Sequence, residues 1–102
     1  SPAIFISDNY VTMDTGQLST AGGVAAIYVP EGATATVELN GVLCTGDVLA
    51  EVYGTLNLKL GQYAGSEVSY ISAIKNNGTV NLEDPDRIWN GAATGTGTLN
   101  KR

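Results

Sequence analysis

The sequence predicts an all-β fold, a compact antiparallel β-sandwich of the jelly-roll type. Apolar and polar residues alternate with a period of two in several short stretches, and no stretch has the pattern of an amphipathic helix. Turn signals recur at intervals of roughly 8–12 residues, which is typical of sandwiches and small barrels. A small open β-barrel is therefore the alternative. An immunoglobulin-type sandwich is disfavoured because Cys44 is the only cysteine and cannot form the inter-sheet disulfide.

The clearest strand predictions are residues 34–39 and 55–60. In both stretches polar side chains alternate with Ala, Val or Leu, which fits a strand with one buried face. The other predicted strands, in chain order, are residues 3–7, 10–14, 24–29 and 47–53.

Two turn signals predict β-hairpins. Asn40-Gly41 is typical of a two-residue type I′ turn, and residues 76–78 suit a three-residue loop with Gly78 in the left-handed conformation. Either hairpin would keep the apolar residues of its two strands on one face, which supports an antiparallel arrangement. The predicted pairs are Leu39 with Val42, Val37 with Cys44, Ile74 with Val80, and Ser72 with Leu82.

Composition divides the chain into one β domain, residues 1–89, and a tail, residues 90–102. The first nine residues form an apolar docking segment that carries Ile4, Phe5 and Ile6. The tail contains one large apolar residue, so it cannot offset its own ordering entropy by burial. We expect it to be a flexible tail or an assembly arm that orders against a partner.

The charge balance argues against two kinds of partner. Ten acidic and five basic residues give a net charge of −5, and the sequence offers no basic footprint for nucleic acid. An anionic membrane would repel the chain, and no apolar run approaches the ~18–20 residues of a spanning helix. We expect neither a nucleic-acid nor a membrane partner.

The residue types also argue against catalysis. The chain has no His and one Cys, so the usual nucleophile with its base and the usual zinc ligands are missing. The densest acidic group, residues 83–86, contains Pro85 and is more simply a turn. We predict a non-enzymatic protein with no catalytic residue, cofactor or metal site; a small hydrolase that uses Asp84 or Asp86 is a rival.

Large aromatic and Arg side chains mark the candidate interface, because such residues dominate binding hot spots. Trp89 is the only Trp and lies beside Arg87, although a core-edge role would suit it equally. Tyr10 and Tyr63 lie near turns and could stack on sugar or pack against a neighbour. The candidate interface residues are Ile4, Phe5, Ile6, Tyr10, Arg87, Trp89, Thr94 and Leu99.

In its size, its Ser-Pro-Ala start, its polar-aromatic segment 8–14 and its Gly/Thr/Ala-rich tail, the chain resembles the small β-rich decoration, or cement, proteins of tailed-bacteriophage capsids. The resemblance implies a homo-oligomeric structural protein, made in the host cytoplasm and located on the virion surface. Its partner would be the major capsid protein or another virion protein. The alternatives are a carbohydrate-binding or adhesin module, with Tyr10, Tyr63 or Trp89 as the sugar platform, and a tail or fibre subunit.

Overall fold

The structure is a computed structural model that describes Pro2, Ile4, Phe5 and residues 9–102. This part of the chain contains twelve strands and no helix. The strands wind into a β-solenoid of five coils, in which every strand pair is parallel. In the residues that the structure describes, no helix is long and apolar enough to cross a membrane.

The strands follow one another coil by coil. The first coil holds β1 (Ile4–Phe5), β2 (Tyr10–Asp14) and β3 (Gln17–Leu18), and the second holds β4 (Ala25–Val29), β5 (Thr34–Asn40) and β6 (Leu43–Cys44). The third coil holds β7 (Val48–Val52) and β8 (Thr55–Gly61), the fourth β9 (Ala73–Asn76) and β10 (Thr79–Glu83), and the fifth β11 (Ala93–Thr94) and β12 (Thr98–Lys101). Sheet A has the order β1-β4-β7-β9-β11, sheet B the order β2-β5-β8-β10-β12, and β3 pairs with β6.

The core consists of columns of apolar side chains that stack from coil to coil. In sheet B, Val37, Leu58 and Leu82 stand in register and are almost fully buried, and in sheet A the same holds for Ile27 and Ile74. Burial of each such side chain stabilises the fold by about 1.5–3 kcal/mol. The solenoid is therefore stabilised by one continuous core.

The alternation predicted for residues 34–39 and 55–60 is confirmed by β5 and β8. Every apolar side chain of both strands points into the core, and the polar ones lie on the outer face. The predictions for residues 10–14, 24–29 and 47–53 correspond to β2, β4 and β7. The predicted strand 3–7 corresponds to β1, and the rest of it lies outside the described residues.

The predicted antiparallel, jelly-roll-like β-sandwich is wrong, and so is the open-barrel alternative. The sheets are wholly parallel, and consecutive strands lie in different sheets rather than side by side. A strand with one buried face shows the same period-two pattern in a sandwich and in a solenoid. Alternation therefore predicted which side chains are buried, but not which strand lies next to which.

Both predicted hairpins are also wrong, because the chain turns a corner there and does not reverse. Leu39 pairs with Met13 and Leu60, not with Val42. Ile74 lies in sheet A, whereas Val80 lies in sheet B. Gly41 has a positive φ, 62°, and a solenoid corner uses this conformation as readily as a hairpin does. Gly78 has no positive φ, so its predicted left-handed conformation is wrong.

The segment 90–102 forms the fifth coil and does not lie apart from the domain. The Gly97 and Thr98 N–H groups donate to the Asn76 and Gly78 carbonyl oxygens, both at 2.9 Å. Leu99 packs against the core. Backbone pairing with the fourth coil thus supplies the contacts that the small side chains of this segment cannot supply.

Candidate functional site

A shallow groove of about 520 Å³ lies where the turn after β10 meets the end of β12. Two backbone hydrogen bonds join these segments: the Asp84 N–H donates to the Arg102 carbonyl oxygen at 3.2 Å, and the Arg102 N–H donates to that of Leu82 at 2.8 Å. The groove is lined by Asp84, Pro85, Arg87, Trp89, Asn90, Lys101 and Arg102.

Trp89 forms the floor of the groove. Its side chain is 6% exposed, and its indole N–H donates to the Ser72 carbonyl oxygen at 2.9 Å. The flanking backbone pairs in parallel with Tyr70, which holds the ring against the fourth coil. Lys101 covers the ring, with its Nζ 5.7 Å from the ring centroid. Trp89 therefore lies at the core edge, where only a small part of it can contact a partner.

Asp84 fixes the turn that carries the groove. Its buried carboxylate accepts the Ile88 N–H at 2.8 Å on one oxygen and the Trp89 N–H at 2.9 Å on the other. In the turn that runs from Asp84 to Ile88, Arg87 adopts φ 53°, in the left-handed region that non-glycine residues rarely occupy. The turn thus holds the Arg87 side chain at the exposed surface. Both carboxylate oxygens of Asp84 serve the backbone, which gives this residue a structural role.

Three of the five basic residues, Arg87, Lys101 and Arg102, line this groove in a chain of net charge −5. Across the described residues, the one salt bridge joins Lys59 to Glu83 at 3.6 Å, so the groove cations have no carboxylate within ion-pair distance. Several cations on one groove attract a carboxylate or phosphate group more strongly than a single isolated surface charge does. The groove is thus a positive site on an acidic protein.

The outer face of sheet B carries ladders of identical or similar side chains. The Asn100 amide donates to Asn81 and the Asn81 amide to Asn57, each at 2.9 Å, and the Asn57 amide reaches the Thr36 hydroxyl at 3.4 Å. A threonine ladder runs alongside, formed by Thr34, Thr55, Thr79 and Thr98. The asparagine side chains bond to one another from coil to coil, so this ladder stabilises the stack of coils.

An aromatic pair lies on the outer side of the second and third coils. The Tyr28 and Tyr53 ring centroids are 5.8 Å apart with the planes tilted by 48°, and the Tyr53 side chain is 39% exposed. The Tyr53 hydroxyl donates to the Glu51 carboxylate at 2.7 Å, and this hydrogen bond to the carboxylate raises the pKa of Tyr53. Tyrosine rings beside a carboxylate acceptor can stack on a sugar and bind its hydroxyls.

The predicted interface residues fall into two groups at opposite edges of the solenoid. Arg87 and Trp89 lie together in the groove, and Leu99 and Thr94 lie on the fifth coil, Leu99 partly buried and Thr94 exposed. In the first coil, Ile4 packs against the core, and Tyr10 is 58% exposed with its hydroxyl bonded to Glu38 at 2.5 Å. Phe5 belongs to β1, where its backbone pairs with Tyr28. Ile6 lies outside the described residues.

Sequence reasoning missed Lys101 and Arg102 in the groove and the pairing of Tyr28 with Tyr53. The adjacent Lys-Arg pair was a usable signal, because it is the one place where two basic residues adjoin. The tyrosine pair had a weaker signal, the spacing of about one coil between Tyr28 and Tyr53. This spacing indicates a contact only when the chain is known to stack successive coils.

The acidic residues form no metal site in the part of the chain that the structure describes. No group of three or more His, Cys, Asp or Glu side chains is close enough there to hold an ion. Cys44 is a free, partly buried thiol that accepts a contact from the Ser72 hydroxyl at 3.8 Å.

No protein-family model matches the sequence, and no curated protein or solved structure matches it either.

Proposed function

We propose that this chain is a non-enzymatic structural protein of a bacteriophage particle, and that it binds another virion protein through the groove around Trp89. The single observation that supports this most is the convergence of Arg87, Lys101 and Arg102 on a groove in an acidic protein, where no carboxylate of the described residues lies within ion-pair distance of them. The assignment to a bacteriophage particle rests on the resemblance to capsid decoration proteins. The major capsid protein is the first candidate partner.

The groove suits an acidic segment of the partner. Complementary charge would steer the acidic segment of the partner to the groove, because the remaining, acidic surface of this chain repels that segment. The same charges would set the orientation of the two proteins. The rigid turn at Asp84 holds Arg87 in place before binding, which lowers the entropy cost of association. Many copies on a repeating capsid surface would add avidity to a modest single contact.

The test is incorporation into purified particles. Virions from the phage that encodes the chain are purified by density gradient, and the protein is quantified by mass spectrometry. We expect the wild-type protein in the particle, and the Arg87→Glu variant depleted from it by at least about tenfold, which corresponds to about 1.4 kcal/mol. Lys75→Glu makes the same charge change on sheet A, away from the groove, and should be incorporated like the wild type.

Two results would contradict the proposal in different ways. Absence of the wild-type protein from purified particles would exclude the virion role. Equal incorporation of the Arg87→Glu and Lys75→Glu variants would keep the virion role and exclude the groove. A tail or fibre position, in place of the capsid surface, would show directly by gold labelling of the particles.

A carbohydrate-binding or adhesin module is the second candidate, and the Tyr28–Tyr53 pair with Glu51 favours it. Binding of the isolated protein to a glycan array would support this function. The Tyr53→Ala variant should then lose binding, whereas Tyr63→Ala, which removes another exposed ring, should retain it. A shared loss in both variants, or no bound glycan, would contradict a site at this pair.

A further inference from the structure

The outer face of sheet A carries a polar aromatic cluster in the coils around β7. Glu51 and Tyr53 flank the buried Val52 at the end of β7, so both side chains leave the sheet on its outer side. The Tyr53 hydroxyl donates to the Glu51 carboxylate at 2.7 Å, which holds the Tyr53 ring along this face. Tyr28, the register partner of Glu51 in the second coil, packs its ring against that of Tyr53 at a centroid distance of 5.8 Å.

Asn77 has in the fourth coil the position that Tyr53 has in the third. The residues that precede them, Asn76 and Val52, are register partners, and the Asn77 N–H donates to the Val52 carbonyl oxygen at 2.8 Å. Neighbouring strands lie about 4.7–4.9 Å apart, so the backbone of Asn77 adjoins that of Tyr53. The Asn77 side chain is exposed, and its Oδ1 accepts the Thr96 N–H at 3.3 Å. Its Nδ2 group makes no hydrogen bond within the described part of the chain.

The cluster combines three kinds of group that bind sugars. The Tyr53 ring, 39% exposed, offers an apolar surface to the C–H groups of a sugar ring. The Glu51 carboxylate keeps acceptor capacity beyond the bond from Tyr53, and the Asn77 amide supplies donors. Tyr53 and Asn77 are each held by a hydrogen bond before any ligand arrives, which lowers the entropy cost of binding.

The cluster lies on the side of the solenoid and not at an end of the stack of coils. It spans the second, third and fourth coils, and sheet A continues past it to β1 in one direction and to β11 in the other. Coils stacked on either end would therefore leave it open. None of its residues lines the groove around Trp89, so the two sites are separate.

We propose that this cluster binds a saccharide, with the sugar ring on Tyr53, one hydroxyl group donating to Glu51 and a second hydroxyl group accepting from the Asn77 amide. The proposal rests on the second candidate function, the saccharide site at the Tyr28–Tyr53 pair, and adds Asn77 as the residue that determines which sugar binds. A sugar that lacks the second hydroxyl group loses its bond from Asn77, so the site selects by hydroxyl pattern.

The first experiment screens the 102-residue chain on a glycan array and titrates the strongest binder by calorimetry. We expect Asn77→Ala to bind this glycan at least about tenfold more weakly than the wild type. Asn77→Asp should also bind more weakly, because it keeps an acceptor for the Thr96 N–H but loses the amide donor. Gln17→Ala removes an exposed amide from β3, outside sheet A, and should bind like the wild type. Circular dichroism confirms that each variant is folded.

Deoxy analogues of the bound sugar test the contact itself. One analogue should bind the wild type more weakly than the parent sugar but bind Asn77→Ala equally well, because the contact that it lacks is already missing in the variant. If every deoxy analogue distinguishes the two proteins equally, Asn77 makes no contact with the sugar and the proposal is overturned.

The other outcomes separate this proposal from the function on which it rests. Absence of any bound glycan, or binding that Tyr53→Ala leaves intact, overturns both. Binding that is lost in Tyr53→Ala but unchanged in Asn77→Ala overturns the role of Asn77 and leaves the saccharide site in place. A loss in Asn77→Ala that Asn77→Asp does not share would mean that Asn77 acts through Thr96, which overturns the direct contact.

Discussion

Lys101 lies over the ring of Trp89, with its Nζ 5.7 Å from the ring centroid, at a position whose counterparts in the third and fourth coils, Leu58 and Leu82, are buried. The stack of apolar side chains that runs through Leu58 and Leu82 therefore ends at a charged residue. The same side chain covers the Trp89 ring, which forms the floor of the groove. An unprotected β12 edge would present an unpaired strand with an apolar inner face.

Replacing this charge should open the β12 edge. We expect the Lys101→Val variant to associate beyond the wild-type oligomer, with light scattering that grows with concentration and time, because the edge gains an apolar residue and loses its blocking charge. Lys75→Val removes a charge from the outer face of sheet A and should leave the mass unchanged. Equal masses for the two variants would show that Lys101 does not protect the edge.

The asparagine ladder should stabilise the stack of coils in proportion to the bonds that each member makes. Asn81 bonds to both Asn57 and Asn100, whereas Asn100 has one ladder bond and is exposed. We expect Asn81→Ala to lower the free energy of unfolding by about 1–2 kcal/mol, and Asn100→Ala by about half as much or less. Urea unfolding measures both. Equal costs would contradict the dependence of stability on the number of ladder bonds.

Gly78 should tolerate no side chain, because its corner packs against the backbone of the preceding coil. A Cβ at this position would lie 2.7 Å from the Tyr53 carbonyl oxygen and closer still to that of Gly54. We expect Gly78→Ala to cost at least ~2–3 kcal/mol, since two backbones would have to separate.

Gly23→Ala is the matched control for Gly78→Ala. No heavy atom lies within 4 Å of a Cβ at Gly23, and its φ is not positive. Stability should stay the same or rise by up to ~1 kcal/mol, because alanine restricts the unfolded chain. Thermal unfolding of the two variants side by side is the measurement, and a similar Tm for both would contradict the close approach of the corners.

Tyr70 should make stability fall in alkaline solution. Its hydroxyl donates to the Val42 carbonyl oxygen inside the core, and burial raises its pKa from 10.0 to about 12. The unfolded chain therefore loses this proton first as pH rises, so the free energy of unfolding is unaffected below pH 10 and falls between pH 10 and about 12. The fall should be roughly 2–3 kcal/mol, since one pKa unit corresponds to about 1.4 kcal/mol.

Tyr70→Phe isolates this effect from the other titrating groups. The variant should start about 1 kcal/mol less stable, because the Val42 carbonyl loses its donor. Since only the wild type loses roughly 2–3 kcal/mol between pH 10 and about 12, the difference should shrink and then change sign, so that the variant is the more stable protein near pH 12. Urea unfolding at several pH values measures the difference. A difference that stays constant over this range would show that Tyr70 ionises equally readily in the folded and unfolded chains.

Parts of the candidate site were accessible from sequence because they depend on neighbouring residues. Arg87 and Trp89 were predicted from their types and adjacency, and they do lie in one groove. Lys101 and Arg102 join them from the end of β12, and this proximity depends on the parallel stacking of β12 on β10. Nothing in the spacing of these residues indicates it.

The repeat that underlies the fold was hidden for a related reason. The stacked threonines of sheet B, Thr34, Thr55, Thr79 and Thr98, are separated by 21, 24 and 19 residues. Corners of different length absorb these differences, whereas the strands keep their register. A search for a fixed period therefore finds no repeat, although each of the second to fifth coils places a Thr and, two residues later, a Thr or Asn on the outer face.

What the sequence alone determined is the set of strands and the face that each one buries, because alternation of apolar and polar side chains acts locally along β5 and β8. What only the tertiary structure decided is that successive strands enter different sheets and pair with the next coil. That choice depends on whether the chain reverses or bends at Asn40-Gly41 and at Asn77-Gly78, and the same turn residues permit both. Contacts between distant coils, such as Leu39 with Leu60, select the bend.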